Sequence, residues 1–376
     1  MDFSFTTEQQ LLRDSLQSFL RAQYRFDMRS AVLCSDSGWR PELWRELGEL
    51  GVLGAALPER IGGSGGGAVE TMIVMEELGR ALVVEPYLES VVLTAGLLAC
   101  IRSERADALA TAIASGESVA TLAWSEPATR FGFDRASTTT ATRSGDGWRL
   151  QGHKAMVIAA SWASTLLVTA RIGGEGIALF AVDCRTPGIT AHHYPTVDGR
   201  RAADLHFDQV LLPRCALMAE PGIAQPLLQR FGDVAIAAQS AEAVGVMHRL
   251  FDDTVDYARQ RKQFGQTIGS FQVVQHRLVD MYLQIEMAVS ASYRVTLSLD
   301  ADDRERGLAA STAKVTVAEA CRFIGQNAVQ LHGGIGMTEE LPVGSYFKRA
   351  TMIEHEFGSV DQHLARHARL ERSAAA

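Results

Sequence analysis

Residues 257–272, Y-A-R-Q-R-K-Q-F-G-Q-T-I-G-S-F-Q, end one long helical pattern and open another. Arg259, Arg261 and Lys262 place three cations within four residues, Gly265 and Gly269 break the helix, and Phe271 restarts it. A basic cluster, an aromatic and a glycine-broken joint suit a large anionic, planar ligand. Arg261 would serve as phosphate partner and Phe264 as apolar surface. The same residues also describe an ordinary helix hairpin whose charges sit in water.

Around this joint the chain from Phe231 onward reads as helical. Ala235, Ala238, Ala241 and Gly245 lie along one side of the preceding helix, where small residues permit close approach by another helix or a flat ligand. Leu278, Met281, Tyr282 and Ile285 form a stripe on the following helix that reads as core. Ser311 to Leu331 supplies the next helix and Tyr346 to Arg372 the last, so four helices predict a bundle over residues 223–376. Upstream, Ser118 to Leu212 is a series of short β-rich runs separated by Gly, Asp and Pro signals such as S-G-D-G at residues 144–147. That predicts a compact antiparallel β-domain over residues 118–222.

Residues 1–117 are mostly helical in pattern. Leu11, Leu12, Leu16, Phe19 and Leu20 follow a start at Thr7 to Gln10 that resembles a capping box. Pro41 to Leu53 reads as another helix, Pro58 to Gly67 as flexible, and Val91 to Ile101 as a core helix too short for the about 20 residues that span a bilayer. The glycine run lacks the G-K-[ST] ending and preceding strand of a phosphate loop. The fold class expected is mainly α with a middle β-domain.

The chain has 376 residues, a formal net charge of -8 and a pI of about 5.7, which argues against a general nucleic-acid binder. Its five cysteines are scattered without C-x-x-C spacing, as expected in a reducing compartment. The acidic, polar start M-D-F-S-F-T-T-E-Q-Q carries no signal-peptide pattern, so a cytoplasmic location is expected.

Two motifs carry a resemblance. R-K-Q-F-G-x-x-I-x-x-F-Q from Arg261, and Q-L-H-G-G-I-G from Gln330 followed by M-T-E-E-L-P-V, resemble the acyl-CoA dehydrogenase family, in the right order and about two helices apart. The resemblance implies an N-terminal helical domain, a β-barrel-like middle domain and a C-terminal four-helix bundle. It implies FAD as cofactor, with Arg261 reaching the pyrophosphate, Gln263, Phe264, Ile268 and Gln272 beside it, and Gln330 and Gly334 near the adenine end. Ser359 stands where the family has a threonine that contacts FAD. An oligomer, an acyl-CoA substrate and an electron-transfer flavoprotein as acceptor are implied as well. W-S-E-P at residues 124–127 stands at the place of the family's T-E-P, and W-R-L-Q-G-H-K at 148–154 looks like its L-N-G-x-K. Two departures follow: Arg130 and Phe131 intrude where A-G-S-D is common, and Met156, Val157 and Ile158 replace W-I-T.

The family removes two hydrogens from adjacent carbons of an acyl thioester, a carboxylate taking the α-proton. Aligning H-E-F-G-S with the family's Y-E-G-T puts Phe357 at the position of the base and Glu356 one residue early. The other position used in the family, on the helix that opens the bundle, falls on Ala235. Glu242 lies seven residues later on the same face, Asp233 is expected at a helix start where it caps or touches CoA, and Glu356 can alternatively pair with Lys348 or Arg349. Three readings remain open. The chain is a dehydrogenase using Glu242 or Glu356, a non-catalytic subunit lending FAD contacts to a second dehydrogenase chain, or a related flavin monooxygenase.

Overall fold

The computed structural model describes residues 4–127 and 137–372. Arg130 and Phe131 lie outside the described residues. In chain order the elements are α1 (Thr7–Gln23), α2 (Phe26–Leu33), α3 (Pro41–Glu49), α4 (Ala68–Ala81), a π-helix (Tyr87–Ala95), α5 (Gly96–Cys100) and α6 (Glu104–Ala114). Strands follow: β1 (Ala120–Ala123), β2 (Thr140–Ser144), β3 (Gly147–Ile158), β4 (Thr165–Ile172), β5 (Gly176–Asp183), β6 (Ile189–Pro195), β7 (Arg201–Leu212) and β8 (Leu217–Ala219). The remainder is α7 (Pro221–Gln260), the two-residue strands β9 (Lys262–Gln263) and β10 (Gln266–Thr267), α8 (Gln272–Leu297), α9 (Asp303–His332), α10 (Val343–His355) and α11 (Val360–Arg372). No helix among the described residues is long and apolar enough to cross a membrane.

The contacts divide the chain into two compact units. One comprises residues 1–31, 72–83 and 236–376; the other, residues 32–71 and 84–235. In the second unit eight strands make one sheet, ordered β6-β7-β3-β2-β4-β5-β8 with β1 beside β4. It is an open sheet, so the expected barrel-like closure is corrected: β6 and β8 end the path without pairing to each other. Pairing is antiparallel except for β1 and β2 against β4. Its core is Trp148, Leu150, Phe180, Phe207 and their aliphatic neighbours. The S-G-D-G turn joins β2 to β3, with Gly145 at φ 57°. The glycine run expected to be flexible is instead pinned, Gly63, Gly65 and Gly66 donating to the carbonyls of Pro58, Leu57 and Ala55.

The first unit packs Met247, Leu250, Met281, Ile285, Ile324, Tyr346 and Ile353 into an apolar core. Helix α1 begins with a capping box, Thr6 and Gln9 bonding reciprocally, one residue before the expected start. The small-residue side of α7 meets another helix: a Cβ on Gly245 would lie 2.0 Å from the Glu76 carbonyl oxygen, and one on Gly79 would lie 2.2 Å from that of Glu242. Backbones of α4 and α7 therefore touch where a side chain on either glycine would clash. The α8 stripe departs from expectation at Tyr282, which is 48% exposed while Met281 and Ile285 are buried. The single last helix expected is two, α10 and α11. Phe357 (φ 58°) and Gly358 (φ 115°) lie in left-handed backbone that cannot continue a helix.

Candidate functional site

At the joint after α7, Arg261 N–H donates to the Tyr257 carbonyl and the Arg261 carbonyl accepts from Ile268 N–H, both at 2.8 Å. Strands β9 and β10 pair across Phe264 and Gly265, whose φ values of 54° and 80° are those of a tight hairpin turn with both central residues left-handed. The turn holds the Phe264 ring 92% exposed and edge-on to Phe271, with centroids 6.3 Å apart. Arg261, Gln263 and Gln272 are exposed and Ile268 is half-buried. Helix α8 restarts at Gln272, with Phe271 at its N-cap.

The second motif lies at the end of α9. Gln330 is exposed on the last turn and Gly334 follows in a short 3-10 turn, where an added Cβ would meet nothing within 4 Å. Tyr257 links the two motifs: its ring stacks on His332 at 4.4 Å and its hydroxyl donates to the His332 carbonyl at 3.3 Å. Ser359 stands apart from both as the N-cap of α11. Its Oγ accepts from Gln362 N–H while Gln362 Oε1 accepts from Ser359 N–H, a reciprocal cap.

The candidate carboxylates have a common partner. Arg349 on α10 donates through Nε to Glu242 Oε1 at 2.5 Å and through Nη2 to Glu242 Oε2 at 2.7 Å, a two-point grip on α7. The same guanidinium reaches Glu356, Nη1 to Oε1 at 3.3 Å and Nη2 to Oε2 at 3.2 Å. Gln239, one turn before Glu242, donates to Glu356 Oε2. Lys314 on α9 donates to Gln239 Oε1 at 3.3 Å and to the Ile353 carbonyl. Two carboxylates, one guanidinium and one ammonium are thus buried together in a balanced cluster. Burial pushes the Lys314 ammonium down to about 8, against the pull of the Glu356 charge. Glu356 is the extended C-cap of α10, so the turn geometry, not a helical rotation, aims it at Arg349.

Other expected positions fall elsewhere. Asp233 is buried well inside α7 rather than at a helix start, because α7 begins at Pro221. Phe357 is half-buried, its carbonyl 2.9 Å from His363 Nε2. Of the cluster, Gln239 and Lys314 carried no motif. The available signal was a lysine set among small and apolar residues, S-T-A-K-V-T-V-A, with no other charge between Arg306 and Glu319.

A second buried ionic centre lies within the sheet unit. Lys154 on β3 donates to Glu126 Oε1 at 2.6 Å and Thr169 Oγ1 at 2.8 Å, and Glu126 also accepts from Ser137 and from Thr138 N–H at 2.5 and 2.6 Å. Burial works against the Glu126 charge, but the Lys154 charge and these donors outweigh it and push the carboxyl down to about 2. This centre ties the W-S-E-P segment to the strands. At the Met156 bulge that follows, Asp204 accepts from Met156 N–H at 2.9 Å and from the Tyr194 hydroxyl at 2.7 Å.

Helices before and after an open sheet make a fold shared with solved structures. The ChsE4-ChsE5 complex from Mycobacterium tuberculosis contains a chain 29% identical, with 98% of each chain covered and a TM-score of 0.90. A variant of the Tcur3481-Tcur3483 steroid ACAD is 31% identical, again over 98% of each chain, at a TM-score of 0.88. Among curated proteins, the probable acyl-CoA dehydrogenase YngJ of Bacillus subtilis is 31% identical over 94% of this chain and 95% of its own length. Family models for the acyl-CoA dehydrogenase N-terminal, middle and C-terminal domains match residues 6–117, 121–210 and 233–370. The chain belongs to the acyl-CoA dehydrogenase family, a family of oxidoreductases.

Proposed function

We propose that this chain is one subunit of a heteromeric, FAD-dependent acyl-CoA dehydrogenase, in which a second homologous chain supplies the carboxylate that removes the α-proton of the thioester. The observation that carries this reading is the Arg349 cluster. One guanidinium engages both Glu242 and Glu356, so the carboxylates nearest the expected positions face a cation rather than a substrate. The heteromeric ChsE4-ChsE5 neighbour and the steroid dehydrogenase neighbour favour a heteromer and a bulky acyl group.

The exposed joint fits FAD. Among the described residues no carboxylate pairs with Arg261, the Phe264 ring is bare, and Gly334 leaves its surroundings open to a ligand. Arg261 would neutralise the pyrophosphate, Phe264 and Ile268 would cover apolar surface, and Gln263, Gln272 and Gln330 would offer hydrogen bonds, with Gly334 admitting close backbone approach. Ser359 Oγ accepts from Gln362, which leaves its proton to donate. When bound, FAD takes up the β-hydride, and an electron-transfer flavoprotein would receive the electrons. Asp233, buried inside a helix, is assigned no contact with CoA.

The test is the visible spectrum of the purified chain, alone and mixed with a homologous dehydrogenase chain, under anaerobic titration with acyl-CoAs. The lone chain is expected to show no bleaching of a flavin band, and the mixture to bleach. A yellow lone chain bleached by an acyl-CoA, with bleaching lost in Glu242→Gln or Glu356→Gln, would overturn the reading and place the base in this chain.

A further inference from the structure

Strands β3, β7 and β6 turn a histidine-bearing face away from the core of the sheet. His153 on β3 stands directly opposite His206 on β7, and both side chains are exposed while their neighbours Lys154, Leu205 and Phe207 are buried. Successive side chains of a strand point to opposite faces, so the two imidazoles share the outer one. Their rings meet edge to face with centroids 6.3 Å apart. The pair is the middle rung of a short ladder. Gly152–Phe207, His153–His206 and Lys154–Leu205 are in register, and the register shifts on either side, between Leu150 and Gly152 and between Lys154 and Val157. A ladder interrupted at both ends gains from a link between its side chains.

Two imidazoles opposed across antiparallel strands can share one cation. Nitrogens bound to a single ion at about 2.0–2.1 Å lie at most about 4 Å apart. Facing nitrogens of rings at this centroid distance reach that separation with a turn about χ2, a broad torsion that exposed rings make freely. The local charge favours a cation as well. Asp204 and Asp208 lie two residues either side of His206 and so on its face of β7. Asp204 accepts from Met156 N–H at 2.9 Å and from the Tyr194 hydroxyl at 2.7 Å, which fixes its carboxylate on that face. His192, opposite Asp204 on β6, lies instead against the Tyr194 ring with centroids 6.0 Å apart. Among the described residues no three or more His, Cys, Asp or Glu side chains are placed to hold a metal ion together, so the chain supplies two nitrogens and water completes the shell. Imidazole nitrogens suit zinc, nickel or copper, whereas magnesium and calcium take oxygen ligands.

We propose that His153 and His206 chelate one divalent transition-metal ion of the zinc class and so clamp β3 to β7. The site lies within the sheet unit and stands independently of the heteromer reading above. The test is isothermal titration of the purified chain with Zn2+, beside His153→Gln, His206→Gln, their double variant and His192→Gln, with Mg2+ as control ion. The double variant is expected to bind one Zn2+ fewer per chain than the wild type, a difference that sets aside any ion held by thiols. Each single variant should hold that ion at least about tenfold more weakly, since losing even an outer partner of a metal ligand costs that much. His192→Gln should match the wild type, and Mg2+ should show no binding that depends on His153 or His206. Saturating Zn2+ should raise the thermal midpoint of the wild type and not that of the double variant, with equal midpoints in the absence of metal showing that these exposed positions leave the fold intact. An equal Zn2+ count in wild type and double variant would overturn the proposal. So would a loss of two ions, each ring then binding alone, or a midpoint that Zn2+ moves equally in both chains.

Discussion

Two of the buried ionic centres differ in how many carboxylates the cation serves, and Arg200, which pairs with Glu89 at 2.9 Å and Asp198 at 3.3 Å, is shared as Arg349 is. In the sheet unit Lys154 faces one carboxylate, Glu126, and hydroxyls of Ser137 and Thr169 complete its surroundings. In the helical unit Arg349 serves two, Glu242 and Glu356, with Gln239 and Lys314 filling in. The first arrangement pins a loop to strands. The second engages both Glu242 and Glu356, and it does so with side chains from α7, α9, α10 and the turn after α10.

The comparison breaks most visibly when Arg349 is removed. Arg349→Met strands two buried carboxylates, and a loss of roughly 5 kcal/mol in urea unfolding is expected, at the top of the range for orphaning a buried charge. Adding Glu242→Gln should recover part of that loss. Lys154→Met strands only Glu126, whose hydroxyl and amide donors remain, so roughly 3 kcal/mol is expected. Equal losses for the two would mean that the sharing at Arg349 carries no extra weight.

Lys314 sharpens the comparison through pH. Its folded-state pKa is pushed down to about 8 from an ordinary value of 10.5. Between those values the unfolded chain holds a proton that the folded chain has released, so stability contributed here rises with pH across the window. Lys314→Met should flatten the slope of unfolding free energy between about pH 8 and 10.5 by at most about 1.4 kcal/mol per pH unit. A slope unchanged by the substitution would remove Lys314 from the account. Smallest is the cap: Ser359→Ala should cost about 1 kcal/mol by thermal unfolding, because Gln362 N–H loses its acceptor.

Legibility in the sequence follows the range of the interaction. The helix break at Gly265, the S-G-D-G turn and the change from helical to β-rich character are local and readable from spacing, whereas the two-residue hairpin at Phe264 and Gly265 is not. The Glu242–Arg349 pair joins residues 107 apart in sequence, and no periodicity announces it. The break between α10 and α11 escapes the pattern because Phe357 adopts left-handed backbone that its residue type disfavours; His363 at its carbonyl and the glycine that follows hold it there. Tyr282 reads as inward because an aromatic at helical spacing is ordinarily core, yet it sits on the outward side of α8.

The helical unit is assembled from residues 1–31, 72–83 and 236–376, with the sheet unit's chain inserted between. During synthesis α1 is followed about sixty residues later by Glu76 and Glu77 of α4, which pair with Arg13, and only after about two hundred residues, roughly 10–40 s at ribosomal speed, by the helices that complete the unit. The helical unit therefore closes only once its last stretch, residues 236–376, has been made.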